Sequence, residues 1–271
     1  MRGPTRIFKL ASFSKNLVNS APDRIFERWL DVATRQPVVE DSAVVAGGSS
    51  VFTGGDDCPY SAARWLPVRS ALKKLAPGPN DVFVDLGSGK GKVLLIAAQL
   101  PFGRVVGVEI DEKLSDSARH NVTRAKSRLR VQDVDSVTAS AVDWPIPDET
   151  SVVFMYNPFI GDTFRSVIQR IIQSYDRRPR PLRLVYLHPY EHDWLLSTGR
   201  VVADDVRPGD SLARYGWWKT GYVIVSYHIV GAAQGNRSCP FRDSFIRSRK
   251  AIQYWRRPNG HQFTIDGPGR P

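Results

Sequence analysis

Short apolar runs alternate along this chain with segments in which apolar residues recur every three to four positions. Val82 to Leu86, Arg104 to Ile110, Ser151 to Tyr156 and Leu182 to Leu187 have the length and composition of strands that are buried on both faces. The segments between these runs have the spacing of amphipathic helices. Strands that alternate with helices in this way predict a doubly wound, mostly parallel α/β sheet.

Two less regular segments extend the predicted sheet. Residues 134–142 include a third strand, which we expect to end at Asp143, and Trp217 to Val230 has the β-branched and aromatic composition of an antiparallel edge strand. Residues 200–215, with Pro208 and Gly209, have the composition of a loop excursion.

Two helices are predicted before the sheet. Residues 20–33 begin with a capping-box pattern, because Asp23 follows Ser20 by three positions, and Tyr60 to Leu75 has helical periodicity. The apolar residues of the first helix fall on one stripe: Ile25, Phe26, Trp29, Leu30 and Ala33. This stripe predicts a helical cap packed on the sheet, and the alternative is that the helix forms part of the wall around a bound ligand.

A glycine-rich loop, residues 87–91, follows the first predicted strand. Gly87, Gly89 and Gly91, with Ser88 between the first two, allow the backbone to turn sharply and to approach a ligand closely. The helix that follows directs its N-terminus at the same place. This glycine loop is therefore predicted to be a binding site.

Two acidic residues near the glycine loop indicate the kind of ligand. A dinucleotide-binding loop would have its third glycine where this chain has Lys92, and Asp85 would repel a pyrophosphate. Glu109 ends the second strand, where a carboxylate accepts hydrogen bonds from the hydroxyls of a ribose. The pattern favours a ligand with a ribose and a positive charge.

The sequence DLGSGKGKVLLIAA followed by GVE resembles the class I, seven-strand, Rossmann-like methyltransferases that use S-adenosylmethionine. It is most similar to the non-SET lysine methyltransferases of the disruptor-of-telomeric-silencing type and their bacterial relatives. The resemblance implies S-adenosyl-L-methionine as the cofactor, and Asp143 and Trp144 as contacts of its adenine. The other implied cofactor residues are Tyr60, as part of a lid, and Asp85, Gly87, Ser88, Gly89, Gly91, Glu109 and Ile110.

Asn157, Pro158 and Phe159 follow the fourth predicted strand. Amine methyltransferases place a polar residue ahead of a rigid aromatic turn at this position, so the resemblance implies an amine acceptor, with a protein lysine or a small-molecule amine ahead of a nucleobase. The tripeptide differs both from the Asn-Asn-Phe of the histone enzymes and from the double proline of the nucleic-acid enzymes. The alternative interpretation is that Pro158 ends the strand and Asn157 caps the next helix.

His188 is a further candidate for chemistry, because it follows the fifth strand and titrates near neutral pH. The segment HPYEH matches a zinc pattern, but that pattern needs His188 and His192 on a regular helix, and Pro189 interrupts it. We expect no metal site, and His188 is a candidate proton acceptor.

The pattern divides the chain into a helical cap and loop (1–59), a methyltransferase domain (60–230) and a basic, mobile C-terminal tail (231–271). The formal net charge is +11, and the tail carries 8 basic and 2 acidic side chains. The tail is therefore either a contact surface for an acidic macromolecular partner or a solubility feature. No apolar run reaches the ~18 residues of a membrane span, and we expect a cytoplasmic protein with no membrane partner.

Two other functions compete with a methyltransferase. A nucleic-acid-binding protein could retain the cofactor fold without turnover, and the basic tail favours it. An NAD-dependent oxidoreductase would share the glycine loop, but Lys92 and Asp85 disfavour it.

Overall fold

The computed structural model describes residues 21–34, 62–208 and 223–232, and these form a seven-stranded sheet with helices on both faces. The strands are β1 (Val82–Leu86), β2 (Arg104–Glu109), β3 (Val134–Thr138), β4 (Thr150–Met155), β5 (Arg183–Leu187), β6 (Val201–Pro208) and β7 (Val223–Ile229). The helices are α1 (21–30), α2 (Trp65–Lys74), α3 (Lys92–Ala97), α4 (Glu112–Ala125), α5 (Gly161–Arg177) and α6 (His192–Ser197).

The strand order in the sheet is β3-β2-β1-β4-β5-β7-β6. The first five strands are parallel, and β7 is antiparallel to its neighbours β5 and β6. The chain order reverses between β1 and β4, so the carboxyl ends of these two strands flank the crevice in which doubly wound sheets bind ligands. The predicted fold class is confirmed, and the antiparallel strand lies one position inside the edge.

The edge strand β6 was not predicted, because residues 200–215 have the composition of a loop. Asp204 and Asp205 interrupt its apolar pattern, and the register against β7 shifts between Ala203 and Asp205. Both carboxylates have basic partners at this irregularity. Asp204 contacts His228, and Asp205 contacts Arg207 and Lys74. Polar residues are tolerated here because an edge strand pairs on one side only.

The core lies on both faces of the sheet. Alternate residues of β1 point to opposite faces, so Phe83 packs with α2 and α3, whereas Val84 packs with α5. Asp111 caps α4 as its sequence indicates, accepting a hydrogen bond from the Leu114 backbone N–H at 3.0 Å. No helix in the described ranges is long and apolar enough to cross a membrane.

Helix α1 packs with a narrower face than its sequence stripe predicts. Phe26 and Leu30 are buried in the same core as α2, but Ile25 and Trp29 are 67% and 50% exposed. Asp23 is buried, and its carboxylate contacts Lys92 and the Trp65 backbone N–H. Ser20, Tyr60, both cysteines and the tail from residue 233 lie outside the described residues.

Candidate active site

The glycine loop (residues 87–91) joins β1 to α3 in the conformation that its glycines predict. Gly87, Gly89 and Gly91 all have positive φ angles, of 77°, 53° and 77°. The backbone N–H groups of Gly87 and Ser88 both donate to the Val108 carbonyl of β2, at 2.8 and 3.1 Å. Ser88 is buried, so the loop is tied to the sheet at its start, and its glycines present bare backbone beyond that point.

The glycine loop touches the segment that follows β4. A Cβ atom built on Gly87 would come within 2.2 Å of the Cβ of Pro158, which no side chain could tolerate. Only glycine therefore allows this approach. The structure brings the predicted cofactor loop and the predicted acceptor motif into contact, at the carboxyl ends of adjacent parallel strands.

Asp85 and Glu109 form an acidic pair beside the glycine loop. Both are buried, and their strands pair at Asp85 and Gly107. Burial and, secondarily, the nearby Glu109 charge raise the pKa of Asp85 well above its usual range. An ionised pair here needs a compensating cation, so the site fits a ligand with a positively charged group.

The Glu109 carboxylate already has a defined orientation. Its Oε2 accepts a hydrogen bond from the Gly89 N–H at 2.7 Å, and its Oε1 accepts one from the Asp111 N–H at 3.0 Å. A carboxylate has about four acceptor positions, so each oxygen keeps one for a ligand hydroxyl. The adjacent Ile110 is 59% exposed at the strand end, where an apolar side chain can cover a flat ring.

Asp143 and Trp144 lie further from a strand end than the sequence indicates. Strand β3 stops at Thr138, because the backbone turns there and the Asp143 and Trp144 N–H groups both donate to Ser140. Arg170 of α5 holds the carbonyls of Asp143 and Trp144 at 3.2 and 3.3 Å. The predicted strand end at Asp143 is wrong by five residues, and its contact with adenine stays a prediction.

Asn157 is buried in an unusual backbone conformation. Its φ angle is 42°, which places it in the left-handed region, and its Oδ1 accepts a hydrogen bond from the Tyr186 hydroxyl at 2.7 Å. Tyr186 is itself fully buried on β5. A non-glycine residue in this region is held there by its surroundings, and such residues cluster at functional sites.

The alternative role of Asn157 as a helix cap is wrong. Helix α5 begins at Gly161, and the Gly161 N–H donates to the Glu191 carboxylate at 3.1 Å. Glu191 belongs to the segment after β5, so the loops that follow β4 and β5 are joined. Phe159 is buried and packs near Phe164, with ring centroids 6.5 Å apart, and its contact with an acceptor stays a prediction.

His188 lies at the end of β5 among aromatic rings. It stacks with Tyr156 and Tyr190, at centroid distances of 6.5 and 5.8 Å. Burial lowers the pKa of His188 to about 4, so the ring is neutral at pH 7 and is a weaker base than an exposed histidine. His188 therefore fits a neutral aromatic surface better than the predicted proton acceptor.

His192 packs into the core against β7. Its Nδ1 lies 2.6 Å from the hydroxyl of Tyr227 on β7, and both side chains are buried. The spacing of HPYEH is therefore explained by packing, since His192 begins α6 with its ring toward the core.

Several residues at the site had no sequence signal for the partners that they bind. Tyr186 reads as an ordinary strand residue, and Asp23 and Lys92 read as helix-terminal charges. Each acquires its role from a partner that is distant in the chain, such as Asn157 for Tyr186, 29 positions away. Only a three-dimensional arrangement reveals these pairs.

Residues 61–179 match the family model described as "Histone methylation protein DOT1", which is less than half of the chain. The chain is 26% identical over 171 residues to a demethylmenaquinone methyltransferase from Symbiobacterium thermophilum, covering 60% of this chain and 59% of that protein. It is 28% identical over 125 residues to a ribosomal protein L11 methyltransferase from Cupriavidus necator, covering 45% and 39%. The chain thus spans less than two thirds of both relatives.

Among solved structures, the chain is similar to an RNA methyltransferase from Salinibacter ruber in complex with S-adenosyl-L-homocysteine. The identity is 20%, the alignment covers 63% of this chain and 93% of that one, and the TM-score is 0.43.

The strand order and the glycine loop define the fold class of this protein. It has the class I methyltransferase fold, and its core is similar in sequence to S-adenosylmethionine-dependent methyltransferases. S-adenosylmethionine is the cofactor of this class. Its ribose and its positive charges fit the acidic pair of Asp85 and Glu109.

Proposed function

We propose that this protein transfers the methyl group of S-adenosylmethionine to the nitrogen of an amine, with a protein lysine or a small-molecule amine as the acceptor. The observation that carries the proposal is the placement of Asn157. Its buried amide lies at the carboxyl end of β4, next to Pro158, which contacts the glycine loop. A polar acceptor of hydrogen bonds is thus fixed beside the methyl donor's site.

Asn157 suits the geometry that methyl transfer requires. The nitrogen lone pair forms a bond to the methyl carbon while the carbon–sulfur bond breaks and leaves its electron pair on sulfur. The protein mainly has to hold the two atoms in line at about 3–3.5 Å. An amide oxygen has two lone pairs, and Tyr186 uses one of those on Asn157. The second can accept an N–H of the acceptor and so orient its lone pair toward the methyl group.

The acceptor amine must be uncharged when it reacts, so an ammonium group has to lose one proton before the transfer, and the methylated product is again a cation. His188 has a pKa of about 4 and is therefore a poor acceptor for this proton. The rings of Tyr156, His188 and Tyr190 form a neutral aromatic surface at the carboxyl ends of β4 and β5. Such a surface suits the aliphatic part of an amine and, before proton loss, its cationic form.

Two of the similar proteins have names that point to a protein acceptor, whereas the demethylmenaquinone methyltransferase is named for a small molecule. The family model describes a histone methylation protein, and one relative is named for a ribosomal protein. We infer on this basis that the chain is a distant relative of the disruptor-of-telomeric-silencing type, with Asn157-Pro158-Phe159 in place of Asn-Asn-Phe.

The test is transfer of isotopically labelled methyl from S-adenosylmethionine to basic proteins, small amines and RNA, followed by product analysis. We expect the label on an amine nitrogen. Asn157→Ala should lower kcat at least about tenfold, corresponding to ~1.4 kcal/mol, with the Kd for S-adenosylmethionine within about twofold of the unmodified protein. Ser151→Ala, at the opposite end of β4 where Ser151 bonds Val82, is the matched control and should change neither constant.

Other outcomes assign the protein differently. A label on oxygen or carbon would refute the amine acceptor. Binding of NAD without binding of S-adenosylmethionine would refute the enzyme class. Cofactor binding with no transfer to any of the three pools would favour the nucleic-acid-binding protein that retains the fold.

A further inference from the structure

Helix α1 is tied to the glycine loop by a buried ion pair. The ammonium group of Lys92, the first residue of α3, contacts the carboxylate of Asp23, and the two residues are 4% and 5% exposed. Asp23 Oδ1 also accepts the Trp65 backbone N–H at 2.9 Å. Asp23 therefore joins three elements, namely α1, the start of α2 and the residue directly after Gly91.

A second tie reaches the glycine loop from the segment that follows α1. The side chain of Asn121 on α4 donates from Nδ2 to the Lys90 carbonyl at 3.0 Å and to the Ala33 carbonyl at 3.2 Å. Its Oδ1 accepts the Ala33 N–H, also at 3.2 Å. One buried amide thus holds residues 33 and 90 together.

Other contacts fasten the same segment without touching the glycine loop. Phe26 stacks on Trp65 with centroids 5.0 Å apart, and Arg124 pairs with Asp31 at the surface. These contacts hold α1 on the core. Substitutions at these contacts would therefore alter the stability of α1 without removing its contacts with the glycine loop.

We infer that residues 21–34, here called the N-terminal clamp, hold the glycine loop in its binding conformation, and that Asp23, Lys92 and Asn121 are positioning residues for the cofactor. The inference rests on the proposed use of S-adenosylmethionine as the methyl donor. The two contacts restrain Lys90 in the loop and Lys92 at the start of α3, on either side of Gly91, which has a φ angle of 77°.

Physical chemistry explains why such a clamp matters. Glycine loses more conformational freedom on ordering than any other residue, so a loop with three glycines samples many conformations unless contacts restrain it. When only a fraction of molecules has the binding conformation, the apparent Kd rises by the inverse of that fraction. Loss of a tie should therefore weaken cofactor binding while the saturated enzyme turns over normally.

The test measures calorimetric Kd values for S-adenosylmethionine, kcat at saturating cofactor, and thermal stability in the full chain. Asn121→Ala and Asp23→Asn should each raise Kd at least about fivefold and leave kcat within about twofold. Asp23→Glu, which keeps the carboxylate, should restore most of the affinity. Adding Lys92→Met to Asp23→Asn should cause little further loss, because it removes the unpaired charge that the first change leaves.

Phe26→Leu and Arg124→Met are the matched controls, since they loosen α1 and the end of the clamp without touching the loop. They should lower the melting temperature with Kd unchanged. Hydrogen exchange of the loop amides should speed up in the first two variants only. If Kd follows melting temperature equally across all variants, or stays constant in all, the clamp inference is refuted while the proposed function stands. If the unmodified protein fails to bind S-adenosylmethionine, both are refuted.

Discussion

At the scale of single residues, the buried Asp85 carboxyl group lowers the free energy of unfolding when it is ionised, and we expect it to bind a cationic ligand. Burial and the Glu109 charge raise its pKa, so the folded protein binds this proton more tightly than the unfolded chain does. The contribution of Asp85 to the free energy of unfolding is favourable at low pH and is lost as the pH rises through the raised folded-state pKa. Once it is ionised, this carboxylate destabilises the protein until a cationic ligand binds.

Asp85→Asn should accordingly increase the melting temperature of the ligand-free protein at pH 7 and weaken S-adenosylmethionine binding. Loss of a hydrogen bond to a charged group costs ~1.5–3 kcal/mol, which predicts an increase in Kd of about ten- to a hundredfold. In the unmodified protein the affinity should fall as the pH drops through the raised pKa of Asp85, and in the variant it should stay flat. Calorimetry and thermal melts across a pH series measure both effects.

Asp81→Asn provides the control for this prediction. Asp81 lies at the opposite end of β1, where its Oδ2 accepts the Gly78 N–H at 2.7 Å. Its replacement should leave the Kd for S-adenosylmethionine and its pH dependence unchanged. Equal weakening by both variants would mean that Asp85 acts through the strand and not through the ligand.

At the scale of elements, the β4 and β5 loops act as one unit because Tyr186 of β5 binds Asn157 after β4. Tyr186→Phe keeps the ring and removes the donor, so Asn157 loses the bond that fixes its amide. We expect kcat to fall by about tenfold, corresponding to ~1.4 kcal/mol of transition-state stabilisation, with an unchanged Kd for S-adenosylmethionine. Steady-state kinetics with the acceptor identified by labelling would measure this.

Tyr227→Phe makes the same chemical change on the neighbouring strand β7, where the hydroxyl lies 2.6 Å from His192. Both variants remove a buried hydrogen bond, and each should cost ~1–3 kcal/mol of stability. Only the change at Tyr186 should affect turnover. A loss of kcat in both variants, in proportion to their instability, would assign Tyr186 a purely structural role.

The elements also explain which features the sequence could predict. Strands β1, β2, β4 and β5 are buried on both faces and are therefore continuous apolar runs, which a reader of the sequence can find. Strand β6 was not predicted because Asp204 and Asp205 interrupt its apolar pattern. They have basic partners that are distant in the chain and cannot be identified from the local sequence. The same limit applies at the site. Asp85 and Glu109 could be predicted because each lies at the end of a recognisable strand. The Asp23–Lys92 pair could not, because it forms only when α1 packs against α3.

At the scale of the whole molecule, charge is distributed unevenly between the core and the tail. Residues 231–271 carry 8 basic and 2 acidic side chains, with aromatic residues among the arginines. The last described strand ends at Ile229, and the following Val230 N–H donates to the Arg200 carbonyl. Removing residues 231–271 should therefore leave the described core and its cofactor affinity intact.

The same deletion should weaken binding to a polyanion if the acceptor is part of an acidic macromolecular assembly. Each lost phosphate contact would flatten the plot of log K against log salt by about 0.7–0.9, because fewer counterions are released. Replacing the basic residues of the tail with glutamine, at unchanged length, is the control that separates charge from chain length. We expect it to reproduce the deletion, and titrations of labelled RNA and of an acidic protein across a salt series would measure the slopes.

Identical slopes for the intact, truncated and neutralised proteins would mean that the tail makes no such contact. A macromolecular acceptor would then have to be held by residues outside the tail, and among the described ones Arg24, Arg28 and Trp29 of α1 are exposed.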